Sequence, residues 1–145
     1  MQVRDIMNIN AIRILDGATM AEAAELAAMS NASGLFVVDD EDTFIGVLSE
    51  GDMMKAALPE MSEVMDVGRS LRDTYDIFSE KGAKLGSEPI DNLLIRDPIT
   101  LKPEDPLFKA VTTMAVKKMR RLPVVKNGKL VGTVSRGDIC KAVFK

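Results

Sequence analysis

A segment of eleven residues occurs twice in this chain of 145 residues. Residues 46–56 read GVLSEGDMMKA and residues 132–142 read GTVSRGDICKA, with six identical positions at a constant offset of 86. Upstream, residues 35–38 (LFVV) match residues 122–125 (LPVV) at an offset of 87, so one residue is inserted between the matched blocks. Because self-similarity of this kind indicates repeated structural units, the chain is predicted to contain two copies of one unit.

Each copy begins with a short strand followed by a helix. Residues 12–15 and 99–101 are the strand candidates. In the first copy Thr19-x-x-Glu22 is the pattern of a capping box that opens an alanine-rich helix. In the second copy Asp105 is the predicted N-cap, and Pro106 would occupy the first helical position.

Each copy continues with a β-hairpin and ends with a short helix. Asn127-Gly128 indicates a type I′ turn, which requires positive φ at both central residues. The closing helices are predicted at residues 50–58 and 136–144. A unit of about 55 residues with three short strands is marginal alone. The predicted fold class is therefore α+β, with two strand-helix-hairpin-helix repeats packed sheet to sheet with pseudo-two-fold symmetry.

The predicted domains are a first repeat at residues 1–58, a connector at residues 59–89 and a second repeat at residues 90–145. In the connector Ser70-x-x-Asp73 favours a helix that would end at Lys81-Gly82. Its apolar residues include Tyr75, which is expected to anchor it. The connector is either a solvated linker or a helix that packs on a partner subunit.

Composition narrows the chemistry. The chain has no histidine and one cysteine, Cys140, so His-based nucleophile pairs and cysteine-rich zinc sites are excluded. We predict no catalytic residue and no metal site, and the acidic residues 39–42 fit a polar hairpin turn better than a phosphohydrolase centre. Cys140 occupies an apolar helix position and is expected in the core. With no long apolar run and no signal segment, a soluble cytoplasmic protein is expected.

Charge is unevenly distributed along the chain. The overall net charge is −3, but residues 1–89 carry 7 basic and 17 acidic side chains, whereas residues 90–145 carry 12 basic and 5 acidic ones. The halves therefore have net charges of −10 and +7. Such asymmetry is typical of an anion-binding end, a nucleic-acid surface or complementary faces in an oligomer.

The repeated segment contains Gly-x-x-Ser-x-x-Asp, with Ser49 and Asp52 in one copy and Ser135 and Asp138 in the other. The simplest interpretation is a helix cap after a glycine that ends a strand. Duplication favours a further role. A hydroxyl, free N–H groups and a helix N-terminus together suit a phosphate, and a carboxylate one turn later suits the hydroxyls of a ribose. The pattern predicts a nucleotide site.

Two further motifs carry a resemblance to a known family: Asp97-Pro98-Ile99-Thr100 opens the second copy, and Arg121-Leu122-Pro123-Val124 precedes its hairpin. With these motifs the chain resembles a tandem pair of cystathionine-β-synthase (CBS) domains, a Bateman module, over about residues 1–58 and 88–145. The resemblance implies binding of adenine nucleotides or adenosyl ligands in clefts between the repeats, a regulatory function and pairing into disc-like dimers.

The resemblance also implies which residues hold the ligand. Asp138 would hold the ribose, Ser135 the phosphate and the backbone of residues 121–123 the adenine edge. The preferred second-repeat site comprises Ile99, Thr100, Arg121, Leu122, Pro123, Ser135, Arg136 and Asp138. The weaker first-repeat site comprises Ile12, Arg13, Gly34, Leu35, Phe36, Ser49 and Asp52.

The second-repeat site is preferred because of charge. Arg136 can pair with a phosphate, whereas Glu50 at the same place in the first motif repels it. The first-repeat site also departs from the second, since Arg13 replaces Thr100. Arg13 is expected to offset part of the charge of Glu50.

The predicted function is a regulatory sensor that binds AMP, ADP, ATP or an adenosyl compound, requires no cofactor and acts as a homodimer on another protein in trans. One alternative is an interaction module that binds no ligand. A second is nucleic-acid binding through Lys117, Lys118, Arg120 and Arg121, although few aromatic residues are available to stack on bases.

Overall fold

The structure is a computed structural model that describes residues 1–32, 34–60 and 71–145. It has a mixed α+β fold, as predicted. The strands are β1 (Arg13–Leu15), β2 (Gly34–Val38), β3 (Phe44–Ser49), β4 (Arg121–Lys126) and β5 (Lys129–Ser135). The helices are α1 (Met20–Ser30), α2 (Glu50–Ala57), α3 (Leu71–Gly86), α4 (Leu107–Lys117) and α5 (Arg136–Val143). Short 3₁₀ turns occupy Val3–Asp5 and Ile90–Leu93.

The first long helix of each repeat has the same length and the same end. Helices α1 and α4 each have 11 residues, and both stop at a left-handed residue, Asn31 with φ 53° and Lys118 with φ 54°. Thr19 caps α1, because its side chain accepts a hydrogen bond from the Glu22 N–H at 3.2 Å. The two repeats therefore share their local backbone design.

The predicted N-cap of α4 is wrong. The helix begins at Leu107, and its N-cap residue is Pro106. The Asp105 carboxylate instead accepts hydrogen bonds from the Lys102 N–H at 2.8 Å and from the Lys109 ammonium at 3.2 Å. Burial raises the pKa of Asp105, but the hydrogen bonds from Lys102 and Lys109 together lower it by more. The pKa of Asp105 therefore lies below its usual range. Asp105 stabilises the turn that precedes the helix.

The strands form two small sheets. The first has the order β1-β2-β3, with β1 parallel to β2, and the second is the antiparallel pair β4-β5. Asn127 with φ 53° and Gly128 with φ 78° confirm the predicted turn of the second hairpin. The predicted strand at residues 99–101 is reduced to a bridge, in which Leu101 lies parallel to Val124.

The chain forms two compact units that do not follow the sequence repeats. One unit contains residues 1–15, 36–46 and 95–145, and the other contains residues 16–35 and 47–94. In the first unit α4 packs on the inner face of β4 and β5. This core comprises Val3, Leu101, Leu107, Ala110, Met114, Leu122, Val124 and Val134.

In the first unit the turns of the two hairpins are bonded to each other. The Phe44 N–H donates to the Gly128 carbonyl at 2.8 Å, and the Leu130 N–H donates to the Asp42 carbonyl at 3.1 Å. The Lys129 ammonium donates to the Glu41 carbonyl at 2.8 Å. The acidic turn of the first repeat therefore meets a lysine of the second repeat, and part of the charge asymmetry is compensated within the chain.

The acidic turn is also ordered by one of its own carboxylates. Asp39 Oδ1 accepts hydrogen bonds from the N–H groups of Thr43 and Glu41, each at 2.9 Å. The hydrogen bond from the Thr43 N–H is the main reason that the pKa of Asp39 lies below its usual range, and the nearby Lys129 charge acts in the same direction.

Helix α3 lies in the second unit and differs from its prediction. Its predicted capping residue, Ser70, lies outside the described residues, and the helix continues past Gly82 to Gly86. A Cβ on Gly86 would lie 3.7 Å from Ala21 Cβ, so α3 approaches α1 closely there. Because packing on α1 and α2 offsets the poor helix propensity of glycine, Gly82 does not end the helix.

Two apolar positions with predicted packing roles are exposed: Tyr75, expected to anchor the connector helix, and Cys140, expected in the core. Tyr75 is 65% exposed, and its ring forms a tilted pair with that of Phe78, so Tyr75 does not anchor α3 by burial among the described residues. Cys140 is also exposed, and it lies on α5, a helix of eight residues in which no side chain is buried. Apolar spacing on a short helix therefore did not indicate burial. None of the described helices combines the length and apolar composition that crossing a membrane requires.

Candidate functional site

Ser135 and Asp138 form a reciprocal cap at the start of α5. Ser135 Oγ accepts a hydrogen bond from the Asp138 N–H at 3.1 Å, and Asp138 Oδ2 accepts one from the Ser135 N–H at 2.9 Å. Both residues are half-buried. Within the described part of the chain Oδ1 of Asp138 accepts no hydrogen bond. The capping interpretation is correct, and one carboxylate oxygen is still available to a ligand.

Three arginines surround this cap. The Arg136 N–H donates to the Arg120 carbonyl at 3.0 Å, and Arg136 Nε donates to the Met119 carbonyl at 2.8 Å. Arg121 lies directly opposite Ser135 in the β4-β5 ladder. Since directly opposite residues project from the same face of a sheet, the Arg121 side chain and the Ser135 hydroxyl share one face. All three arginines are exposed.

The remaining second-repeat candidates lie along β4. Leu122 is fully buried, so only its backbone is available to a ligand. The Pro123 carbonyl accepts a hydrogen bond from the Leu101 N–H at 2.9 Å. This bond places Thr100 and Ile99, which are both exposed, beside β4. The structure therefore brings the second-repeat candidates together within the first unit.

The first-repeat candidates are divided between the two units. Ile12, Arg13 and Phe36 belong to the first unit, and Gly34, Leu35, Ser49 and Asp52 belong to the second. Ser49 Oγ accepts a hydrogen bond from the Asp52 N–H at 3.0 Å, but among the described residues the reciprocal bond from the Ser49 N–H to Asp52 is not formed. Leu35 and Phe36 are buried. The local geometry of this cap is thus less complete than that of the second repeat.

Arg13 does not have a free charge for the first-repeat site. Its NH1 atom lies 2.7 Å from Asp42 Oδ2 and donates to the Leu130 carbonyl at 3.3 Å. Its Nε donates to the Ala11 carbonyl at 3.3 Å. The expectation that Arg13 offsets Glu50 is therefore not supported, because its guanidinium is already paired with another carboxylate.

The glycine of the repeated motif has a structural role that differs from its prediction. Gly46 and Gly132 do not end their strands but lie within β3 and β5. A Cβ on Gly46 would clash with the Ile95 carbonyl oxygen, and one on Gly132 would lie 3.1 Å from the Asn8 carbonyl oxygen. Each glycine therefore allows the N-terminal segment of the other repeat to approach. The motif within a single repeat does not indicate this contact with the other repeat.

A separate concavity of about 890 Å³ lies within the second unit, between α1, α2 and α3. Its walls are largely alanine, methionine and glycine, and Glu50 is the one ionisable side chain among its described lining residues. Within the described residues no group of Cys, Asp and Glu side chains could hold a metal ion. The polar chemistry that suits a nucleotide lies at Ser135 rather than in this cavity.

The decisive comparison is with protein families. A model of the CBS domain matches residues 3–59 and 90–145. The chain belongs to the CBS-domain family. It is a tandem CBS pair, and the internal repeat of the sequence is this pair of CBS domains.

Two curated relatives illustrate the similarity in sequence. MJ1225 of Methanocaldococcus jannaschii is 31% identical over 96% of this chain and 41% of its own length. CBSX2 of Arabidopsis thaliana is 31% identical over 86% of this chain and 55% of its own length. The chain thus spans about half of these curated relatives.

Solved structures of CBS pairs have the same fold. The structure of CBSX2 in complex with AMP covers 99% of this chain and 96% of that chain, with 24% identity and a TM-score of 0.74. The CBS pair of MJ0100, solved with 5′-methylthioadenosine and S-adenosylmethionine, covers 98% of each chain, with 19% identity and a TM-score of 0.67.

Proposed function

We propose that this CBS pair is a regulatory module that binds an adenine nucleotide or a related adenosyl ligand at its second repeat. The observation that carries the proposal is the reciprocal Ser135–Asp138 cap with Arg121 and Arg136 beside it. CBSX2 with AMP and MJ0100 with adenosyl compounds support the ligand class. The site residues are Ile99, Thr100, Arg121, Leu122, Pro123, Ser135, Arg136 and Asp138.

Each group of the site has a chemical role in this proposal. Oδ1 of Asp138 accepts hydrogen bonds from the ribose hydroxyls while Oδ2 holds the cap. The Arg136 guanidinium and the N-terminus of α5 bind the phosphate. The backbone of residues 121–123 meets the adenine edge, and Thr100 flanks the ligand.

The first-repeat site is proposed to bind a phosphorylated ligand more weakly. Glu50 stands where the second repeat has Arg136, and Arg13 is paired with Asp42. The residues of this weaker site are Ile12, Arg13, Gly34, Leu35, Phe36, Ser49 and Asp52.

Calorimetric titration of AMP into matched variants tests the proposal. Asp138→Asn keeps an oxygen that can accept the capping hydrogen bond but removes the charge, and we expect at least a tenfold loss of affinity. Arg136→Glu installs the first-repeat residue and should cause a similar loss. Asp52→Asn in the first repeat is the control and should change the affinity less than threefold. If both second-repeat variants bind AMP as well as the parent chain, the site assignment is wrong.

The proposal includes a homodimer that acts without catalysis on a regulated protein in trans, in the cytoplasm where adenine nucleotides are available. Exposed apolar residues on α3, with Leu71 90% exposed, support an interface between copies. Light scattering after size-exclusion chromatography measures the oligomeric state. A module that binds no ligand would show no change in melting temperature with AMP, whereas a ligand specific for the native state must raise it by several degrees at saturation.

A further inference from the structure

A long stretch of the second repeat contains only positive charges. Residues 106–137 hold eight Lys and Arg residues and no Asp or Glu. Two of the eight have a structural explanation, since Lys109 pairs with Asp105 and Lys129 bonds to the turn of the first repeat. Five others form what we call the basic corner: Lys117, Lys118, Arg120, Arg121 and Arg136. All five are exposed, and within the described part of the chain none of them forms an ion pair.

The basic corner is continuous in space as well as in sequence. Lys117 ends α4 and Lys118 is its left-handed C-cap. The Arg120 carbonyl accepts the Arg136 N–H at 3.0 Å, and Arg121 lies opposite Ser135. The five cations therefore start from backbone positions that are adjacent or hydrogen-bonded, around the residue that caps α5.

The first repeat shows that the fold does not need these cations. Asn31 ends α1 with nearly the same φ as Lys118 at the end of α4. At the offsets of the repeat, the positions that align with the basic corner carry no cation and one acid: Ser30, Asn31, Ser33, Gly34 and Glu50. The same helix end and strand start thus form with a formal charge of −1 in one repeat and +5 in the other. A cation at a helix C-terminus interacts favourably with the dipole, but that effect covers Lys117 and does not require the rest.

We propose that the second repeat selects ligands with two or more phosphates, that is, a nucleoside diphosphate or triphosphate, over AMP and over uncharged adenosyl compounds. This inference rests on the proposed function. The single phosphate of AMP carries a charge of about −2 at most, which Arg136 and the α5 N-terminus can match. Lys117, Lys118 and Arg120 then remain without a counter-charge, and additional phosphates of the same ligand would supply it.

Titration of AMP, ADP and ATP without magnesium, at low and at high salt, tests this selectivity. Each pair of opposite unit charges a few ångströms apart in water changes affinity about two- to fivefold, so several such pairs should favour ATP over AMP at least tenfold. Because exposed charges are screened, this ratio should fall as salt rises.

The test variant is Lys117→Ser/Lys118→Asn/Arg120→Ser, which installs the residues of the aligned first-repeat positions and leaves Ser135, Arg136 and Asp138 in place. We expect the ATP-to-AMP affinity ratio to approach one, with AMP affinity changed less than threefold. The matched control removes three exposed lysines elsewhere, Lys84→Ser/Lys102→Ser/Lys126→Ser, and should keep the ratio. Circular dichroism and melting temperature check that both variants are folded.

The outcomes separate the two proposals. AMP binding with an ATP-to-AMP ratio near one in the parent chain, or a ratio that the triple variant leaves unchanged, overturns the selectivity and leaves the proposed function standing. Failure of AMP, ADP and ATP to bind overturns the selectivity, and failure of S-adenosylmethionine and 5′-methylthioadenosine as well overturns both. If the triple variant weakens binding of a random oligonucleotide at physiological salt without changing the nucleotide ratio, the basic corner is a nucleic-acid surface and the inference is wrong.

Discussion

The ion pair between Arg13 and Asp42 is expected to help hold the two hairpin turns together. Asp42→Asn removes the charge but keeps the left-handed backbone, because Asn tolerates the φ of 67° that Asp42 adopts. The Asp42 side chain is 51% exposed and that of Arg13 24%. For a pair with this much solvent, screening limits the contribution, and we expect Asn to lower the free energy of unfolding by about 0.5–1 kcal/mol.

Arg13→Gln should be more destabilising than Asp42→Asn and should lower the free energy of unfolding by about 1–2 kcal/mol in total. It removes the same ion pair and also the hydrogen bonds to the Leu130 and Ala11 carbonyls, which contribute about 0.5–1.5 kcal/mol each at most in net terms. Asp42→Ala should be about 1 kcal/mol worse than Asp42→Asn, because alanine is strained at positive φ.

Urea unfolding of the four chains of the double-mutant cycle measures the coupling. We expect a coupling energy of about 0.5–1 kcal/mol at low salt between Arg13→Gln and Asp42→Asn, and a smaller one at 1 M salt. A coupling energy indistinguishable from zero at low salt would refute the claim that this ion pair holds the turns. Equal stabilities of Asp42→Ala and Asp42→Asn would refute the argument from backbone strain.

Three further predictions concern single positions. Gly46→Ala should destabilise the chain by about 2–4 kcal/mol, because the Ile95 backbone cannot move aside easily. Gly132→Ala should destabilise it less, because a flexible methionine side chain is one of its neighbours. Equal losses of the free energy of unfolding in urea would contradict this. The lowered pKa of Asp39 means that its carboxylate adds stability above about pH 4 that is lost as the pH falls through the lower, folded-state pKa. The stability difference between the parent chain and Asp39→Asn should therefore shrink from pH 7 to pH 2.5, and a constant difference would contradict the assignment. Cys140 should react with a thiol reagent in the native state as fast as in urea, with Cys140→Ser as the blank; protection would show that it is buried.

Much of the fold could be predicted from local patterns. The Asn127-Gly128 turn, the Thr19 cap and the Ser135 cap each depend on a few consecutive residues whose chemistry decides the backbone, and the structure has all three. The duplicated motif extended these local predictions to the whole chain, because it showed that one unit is built twice.

The wrong predictions concern features that are determined by contacts between elements distant in sequence. Apolar spacing predicted that Tyr75 anchors its helix and that Cys140 lies in the core, but the exposure of a side chain depends on what its helix packs against, which spacing alone does not indicate. Gly82 does not end α3, because contacts with α1 and α2 stabilise the helix beyond it. The partner of Arg13 is 29 residues away in sequence, in a turn, and no local pattern indicates that pair.

The course of β5 links the proposed ligand site to the other repeat. The strand begins at Lys129, which bonds to the acidic turn of the first repeat, and Thr133 in its middle exchanges backbone hydrogen bonds with Asn8 at 2.8 and 3.0 Å. It ends at Ser135, which caps α5. A ligand that binds at Ser135 therefore binds to a strand that the first repeat already holds at its start and at its middle. If ligand binding stabilises or destabilises those contacts by some factor, linkage requires that the contacts change ligand affinity by the same factor. Asp42→Asn weakens the ion pair with Arg13, whose guanidinium donates to the Leu130 carbonyl near the start of β5, and it leaves Ser135 untouched. It should then alter AMP affinity as well as stability. An unchanged affinity would show that the two repeats are in contact but not thermodynamically coupled.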